Sequence, residues 1–247
     1  MEWSDEGLII GTRKYGESSV IVEAMTGAHG RHFGLVKGGR SQRMRPILQP
    51  GNSVALVWRA RLEDHLGLYA VETTQMRAAR MMADAASLQG LNLIGALLRL
   101  LAEREPHQAL YETAIVIVDH LDDESVAPAL LARFELAILA ELGFGLDLSS
   151  CAATGIEEDL IFVSPKSGRA VSRGAGEPYR DRLLPLPGFL HGEDEMSPPA
   201  ADIRAAFMLA AHFLTRDVFG PRGLTLPEAH SAYVAALRKA DSNVEKG

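Results

Sequence analysis

The spacing of apolar residues changes once along this chain, near Met76, and no other feature constrains the fold as much. Before that point, short runs rich in Val, Ile, Leu and aromatic residues are separated by glycine-containing turns, the pattern of half-buried strands. After it, apolar side chains recur every three or four positions among alanines and leucines, as on one face of a helix. A chain of 247 residues holds one large domain or two modest ones. The pattern therefore predicts an α+β multidomain protein: a small five-stranded barrel over residues 1–78, then a mostly helical domain over 79–247 with an inserted hairpin at about 147–179.

The expected strands are Leu8–Tyr15, Ser18–Met25, Arg31–Lys37, Ser53–Leu62 and Leu66–Thr74, and five strands in so short a stretch suit a small closed barrel. Helices are expected over Met76–Glu105, His107–His120, Val126–Leu142, Ala201–Phe219 and Pro227–Leu237. The first divides into two segments if Gly90 and Gly95 interrupt it. Gly143 is a usual helix stop after Leu142. In the inserted hairpin, Leu160–Val163 and Ala170–Ser172 flank a turn at Pro165–Gly168, and the proline-rich stretch Leu184–Pro199 reads as an extended connector.

Composition supports a folded globular protein, with 47% hydrophobic and 23% charged residues. A single cysteine excludes a disulfide-stapled scaffold and a four-thiolate zinc site, and it fits a reducing compartment. The start, Met1 to Gly7, is acidic where a secretory signal is basic, and no apolar run reaches the roughly 18 residues that span a bilayer, so a cytoplasmic protein without a membrane partner is expected. The net charge of −7 hides an asymmetry: residues 1–80 carry 11 Lys+Arg against 8 Asp+Glu, and the remainder 14 against 24. Local field steers a polyanion more than total charge does, which directs attention to the front of the chain.

There, Arg31, Lys37, Arg40, Arg43 and Arg45 place five cations in fifteen residues with no acid among them. Glycines at 30, 34, 38 and 39 allow close approach of a partner, and Ser41 and Gln42 add polar donors for phosphodiester oxygens. Arg13 and Lys14 on the first strand are secondary candidates for the same DNA-binding surface. Phe33, Trp58 and Tyr69 supply rings, either for stacking on bases or for packing inside the barrel. Five cations on phosphates predict a log–log salt slope of about −3.5 for single strands.

Catalytic and nucleotide-binding motifs do not assemble. The chain has neither a phosphate-binding G-x-x-x-x-G-K-[ST] loop nor a G-x-S-x-G elbow, and its eight histidines include no H-E-x-x-H pair. Asp119, His120, Asp122 and Asp123 read as an acidic helix end rather than a metal site. Cys151 with Thr154 outlines half a zinc knuckle whose other half offers Thr, Val, Ser and Gly, which are not zinc ligands.

Several motifs together resemble the bacterial RecO family of DNA repair proteins. They are Gly7-Leu8-Ile9-Ile10-Gly11-Thr12-Arg13-Lys14-Tyr15-Gly16-Glu17-Ser18, Thr26-x-x-x-Gly30, Val36-Lys37-Gly38-Gly39-Arg40 and Pro50-Gly51. Phe134-Glu135-Leu136, the helix end Leu142-Gly143-Phe144, the Cys151 hairpin and Arg222-Gly223-Leu224 follow in the family's order. The resemblance implies that the barrel is an OB-fold followed by a helical domain, in a non-enzymatic mediator of the RecF pathway that binds single- and double-stranded DNA and anneals complementary strands. It implies work with RecR to load RecA on strands coated by single-strand-binding protein, whose acidic C-terminal tail is met by the helical half, in the cytoplasm at the nucleoid. Many members carry a four-cysteine zinc finger where this chain keeps only Cys151, so no cofactor is expected here. For the tail, Arg133, Arg216 and Arg222 are the candidate cations. Two other classes remain open at this level: a non-DNA adaptor whose basic loop meets acidic protein partners, and a metal-dependent nuclease.

Overall fold

The computed structural model describes residues 1–192 and 197–244, with side chains to residue 238; residues 193–196 of the expected connector lie outside the described residues. Five strands, β1 (Glu2–Tyr15), β2 (Ser19–Thr26), β3 (Gly30–Val36), β4 (Ser53–Arg59) and β5 (Leu68–Gln75), close a barrel in the order β1-β2-β3-β5-β4. The pairings are antiparallel except for β3 with β5, which meet in parallel at Leu35 and Leu68. β1 starts well before Leu8 because Glu2–Gly7 pair with Val54–Arg59 of β4. Glu2, Ser4 and Glu6 face water there, so no apolar run announces the pairing. Ile9, Val22, Ala24, Val54, Leu56 and Trp58 form the barrel interior.

The chain leaves the barrel through a buried polar junction. Asn52 is completely buried, and its amide nitrogen donates to the carbonyls of Pro46 and Ile47 at 2.8 and 3.0 Å. Its amide oxygen accepts from the backbone N–H groups of Arg77 and Ala78 at 2.8 and 3.0 Å. Arg77, also buried, then reaches Asp119 through Nε at 2.6 Å, Ser53 through Nη1 at 2.7 Å and Gln75 through Nη2 at 2.6 Å. The hydrogen bond from Arg77 holds the Asp119 carboxyl below its ordinary pKa.

These bonds tie α1 (Ala78–Met81) and α3 (Gln108–Asp119) to the barrel, with α2 (Ala85–Leu98) between them in the chain. The break between α1 and α2 falls before the glycines, at Asp84, whose carboxylate accepts from the Ser87 N–H at 2.6 Å as a helix N-cap. By packing, the chain forms two compact units, Met1–Asp122 and Asp123–Gly247. The change in residue periodicity near 76–78 marks the end of the barrel, whereas the packing boundary lies three helices later.

In the second unit, α4 (Ala127–Glu141) precedes β6 (Leu160–Val163), β7 (Ala170–Ser172), α5 (Arg173–Gly176), β8 (Leu184–Pro185), α6 (Ala200–Phe213) and α7 (Glu228–Val244). The expected hairpin is present and gains a third strand, since Leu184 and Pro185 pair with Val163 and Phe162 at the edge of the sheet β7-β6-β8. The beginning of the connector is thus a strand, and an edge is where a sheet tolerates proline. α6 runs on through a wider helical turn over Leu214–Phe219.

Glu135 of α4 is fully buried, and its Oε1 lies 3.4 Å from Nε2 of His230 on α7. Burial drives the Glu135 pKa upward against the pull of His230. For His230, burial lowers the value, but the Glu135 carboxyl outweighs it and the net shift is upward. Both groups hold protons more tightly folded than unfolded, so this pair stabilises the protein most at low pH and loses that contribution as pH rises through the folded-state range.

Two outcomes follow from these buried polar groups. Asn52→Ala strands two backbone donors and two carbonyls, and urea denaturation is expected to show a loss of at least ~2 kcal/mol. As pH rises above the ordinary carboxylate and imidazole values, the wild-type melting temperature is expected to fall further than that of Glu135→Gln, in which residue 135 no longer titrates; parallel curves for the two proteins would exclude the pair as the cause.

Candidate nucleic-acid interface

The segment between β3 and β4 carries most of the predicted cations, and it is a shaped element rather than a free loop. Leu48 drops into the barrel core with 3% exposure, and Met44 and Ile47 pack beside it. Turn bonds from Met44 N–H to Ser41 O at 3.1 Å and from Leu48 N–H to Met44 O at 2.9 Å give the segment a helical course. Arg40 fastens its near end: its backbone N–H donates to Ser18 O at 3.0 Å, and its Nη1 to Glu17 O at 2.6 Å. Asn52 fastens the far end through Pro46 and Ile47.

This bracing sets the segment beside the end of β1. Arg13 and Lys14 from β1 face Arg40 and Arg45 from the segment across a groove of about 380 Å³, with Thr12 and Gln49 as polar lining. No carboxylate lines the groove. The two sets of cations that the sequence separates by some thirty residues therefore share one concavity. Lys37 and Arg43 are exposed outside the groove lining. Among the described residues, Arg13, Lys14, Lys37, Arg43 and Arg45 form no ion pair with a carboxylate.

Arg31 sits apart from them. Its Nη1 lies 3.0 Å from Glu23 Oε1, its Nε donates to Leu101 O at 3.3 Å, and its side chain is only 15% exposed. The run of positive charge in the sequence included it, but the acid that neutralises it comes from the neighbouring strand, where a local count does not look. Glu23 also holds Arg99, whose Nε is 2.9 Å from Oε2.

The aromatic rings separate too. Trp58 and Tyr69 are 1% and 5% exposed, and they pack inside the barrel. The Trp58 ring N–H donates to Leu66 O at 3.0 Å, and the Tyr69 hydroxyl lies 3.1 Å from Nδ1 of His32. Burial, aided by Arg104, lowers the His32 pKa to about 4, so the imidazole is neutral at physiological pH. Gly34 serves this packing, because a Cβ there would run into the Tyr69 ring. Gly38, at φ +68° with no neighbour within 4 Å, is the open glycine of the segment. Phe33 alone of the three keeps partial exposure.

In the second unit, Cys151 is buried and its sulfur accepts from the Ser172 N–H and hydroxyl, both at 3.3 Å. Burial opposes ionisation, but these bonds and others from Thr154 and Ala153 bring the thiol down to about 6. The groups converging on the sulfur are hydroxyls and amides, which do not fit a tetrahedral zinc site. Among the described residues no group of three His, Cys, Asp or Glu is placed to hold a metal ion, and no helix is long and apolar enough to cross a membrane.

The three arginines considered for an acidic tail are turned to other work. Arg133 donates to Phe189 O at 2.9 Å, Arg216 chelates Asp217 at 2.7 Å, and Arg222 caps Val218 O at 2.9 Å. A basic-rimmed apolar groove of about 290 Å³ does exist in this unit. Ile203 and Phe207 of α6 with Val234 and Leu237 of α7 line it, together with Arg204, Arg238 and one acid, Glu124. Helical periodicity could have flagged Arg204 and Arg238, since each shares a face with the apolar residues one turn away.

Comparison with known proteins bears on this architecture directly. Residues 1–77 match the family described as Recombination protein O N terminal, and residues 83–225 match Recombination protein O C terminal. The chain belongs to the RecO family. It is 63% identical over 240 residues to the DNA repair protein RecO of Methylocella silvestris, covering 97% of each chain. It is 59% identical to that of Beijerinckia indica, covering 97% of this chain and 96% of the relative, and 56% identical to that of Chelativorans sp. with the same coverage. The two RecO family regions meet between residues 77 and 83, where β5 gives way to α1.

Proposed function

We propose that this RecO-family chain is a non-catalytic mediator of recombinational repair. It binds single- and double-stranded DNA in the groove of Arg13, Lys14, Arg40 and Arg45, and anneals complementary strands. With RecR it helps RecA load onto single strands coated by single-strand-binding protein in the RecF pathway, in the cytoplasm at the nucleoid. The observation that carries the DNA-binding part is the groove itself: four cations from two chain segments around one concavity without a carboxylate. Such a groove neutralises phosphates without reading bases, since cations on a backbone carry no sequence information. Annealing then needs no bond to be made or broken. Two strands brought to one cationic surface repel each other less, and their bases stay free to pair.

The partners come from the family relationship. For the acidic, apolar-ended tail of single-strand-binding protein, the groove between α6 and α7 offers an apolar floor and the Arg204 and Arg238 rim. In this reading the hairpin holds by hydrogen bonds at Cys151 and needs no zinc.

With the four groove cations alone the single-strand salt slope is expected near −2.8, and with Lys37 and Arg43 also engaged near −4.2, from roughly −0.7 per contact. Anisotropy titrations across a salt series measure it. Arg13→Glu with Arg45→Glu is expected to flatten the slope and abolish annealing of complementary oligonucleotides. Arg31→Gln is expected to lower stability while leaving the slope unchanged. Annealing that survives the double charge reversal would favour a protein-only adaptor, and magnesium-dependent cleavage of labelled DNA by the pure chain would favour a nuclease. Elemental analysis of the purified protein is expected to find no stoichiometric zinc.

A further inference from the structure

A second concavity adjoins the basic groove, and the two share Thr12 and Arg13 in their linings. It measures about 330 Å³ and lies between the outer face of β1–β3 and one face of α2. Its floor is apolar, with Phe33 of β3, Leu91 of α2 and Pro50. Its polar groups include the exposed Asn92 amide of α2 and the guanidinium of Arg99, which caps the C-terminus of that helix.

One acid, Glu23, lies in this recess, and both its oxygens are occupied: Oε1 by Arg31 at 3.0 Å and Oε2 by Arg99 at 2.9 Å. Two arginines against one carboxylate leave a net positive charge, to which Arg13 adds at the junction with the groove. Arg99 is held in place by a further bond from Nη2 to Ile10 O at 2.7 Å. It reaches that position across Gly11, where a Cβ would stand 2.8 Å from Glu23 Oε2 and crowd Arg99. The Phe33 ring has the Arg31 guanidinium 5.5 Å from its centroid.

We propose that this recess receives an unstacked base of the single strand whose phosphates lie in the basic groove, with Phe33 as the stacking surface, Asn92 at the base edge and Arg99 at the flanking phosphate. A flat apolar ring with a hydrogen-bonding edge and an attached anion is the ligand these three groups suit together. Continuity through Arg13 and Thr12 favours the same polymer in both places over a separate small molecule. A paired base cannot enter, so the recess favours single over double strands.

The inference rests on the groove being a DNA site, and the test separates the two. The full-length chain is bound to an oligodeoxythymidylate carrying 5-iodouracil and irradiated, and the cross-linked peptide is identified by mass spectrometry; affinities for single strand and duplex are measured for Phe33→Ala, Asn92→Ala and Arg45→Glu. Cross-linking to the peptide containing Phe33, with at least about five-fold weaker single-strand binding by Phe33→Ala and little change for duplex, is expected from the value of one stacked base. Wild-type binding that Arg45→Glu weakens, with cross-links elsewhere, overturns the recess and leaves the groove standing. No binding of any oligonucleotide by the wild-type chain overturns both. Cross-linking of the wild type decides the matter even if a variant fails to fold.

Discussion

The first unit depends on a buried amide. Asn52 sits where three pieces of chain converge: the far end of the basic segment, the start of β4 and the exit from β5 into α1. Each arrives with backbone groups that burial would leave unpaired, at a cost of about 1–3 kcal/mol apiece. A single carboxamide, with two donors on one side and a two-lone-pair acceptor on the other, satisfies four of them at once. No other side chain of that size does so. The basic segment is consequently held at its base, Leu48 stays in the barrel core, and the cations above it are presented from an ordered backbone.

The arginines of this unit divide into two populations with opposite roles. Arg31, Arg77 and Arg99 face inward or sideways to Glu23, Asp119 and backbone carbonyls, where they join strands to helices. Arg13, Lys14, Arg43 and Arg45 face water without a carboxylate partner among the described residues. The net charge of −7 describes neither population. A polyanion meets the outer set at short range, and beyond roughly 8 Å at physiological salt the acidic remainder of the chain is largely screened.

Much of the fold was legible in the residue pattern. Local periodicity located β2, β3, β7, α3 and α4 to within a residue or two, because each element's buried face repeats at its own geometric period. It failed where burial comes from a distant partner. The first half of β1 is held by the β4 ladder while Glu2, Ser4 and Glu6 face water, and β8 is two residues long and contains a proline. In the candidate site, Arg13, Lys14, Arg40 and Arg45 were recognisable as cations, and the structure gathers them around one groove. Arg31 belonged to that run by position only, and Trp58 and Tyr69 had the chemistry for stacking but not the exposure.

The order of residues by itself determined that a strand-rich front with excess positive charge precedes a helical, acidic back, and it carried enough motif content to mark the RecO family. Tertiary structure decided which charges remain available. A cation's freedom depends on whether some other segment brings a carboxylate to within about 3–4 Å, and Glu23 reaches Arg31 and Arg99 through strand pairing and helix packing rather than through proximity in the chain. The same physics joined Arg13 and Lys14 to Arg40 and Arg45 around one groove, since closing the barrel sets the end of β1 beside the segment that follows β3.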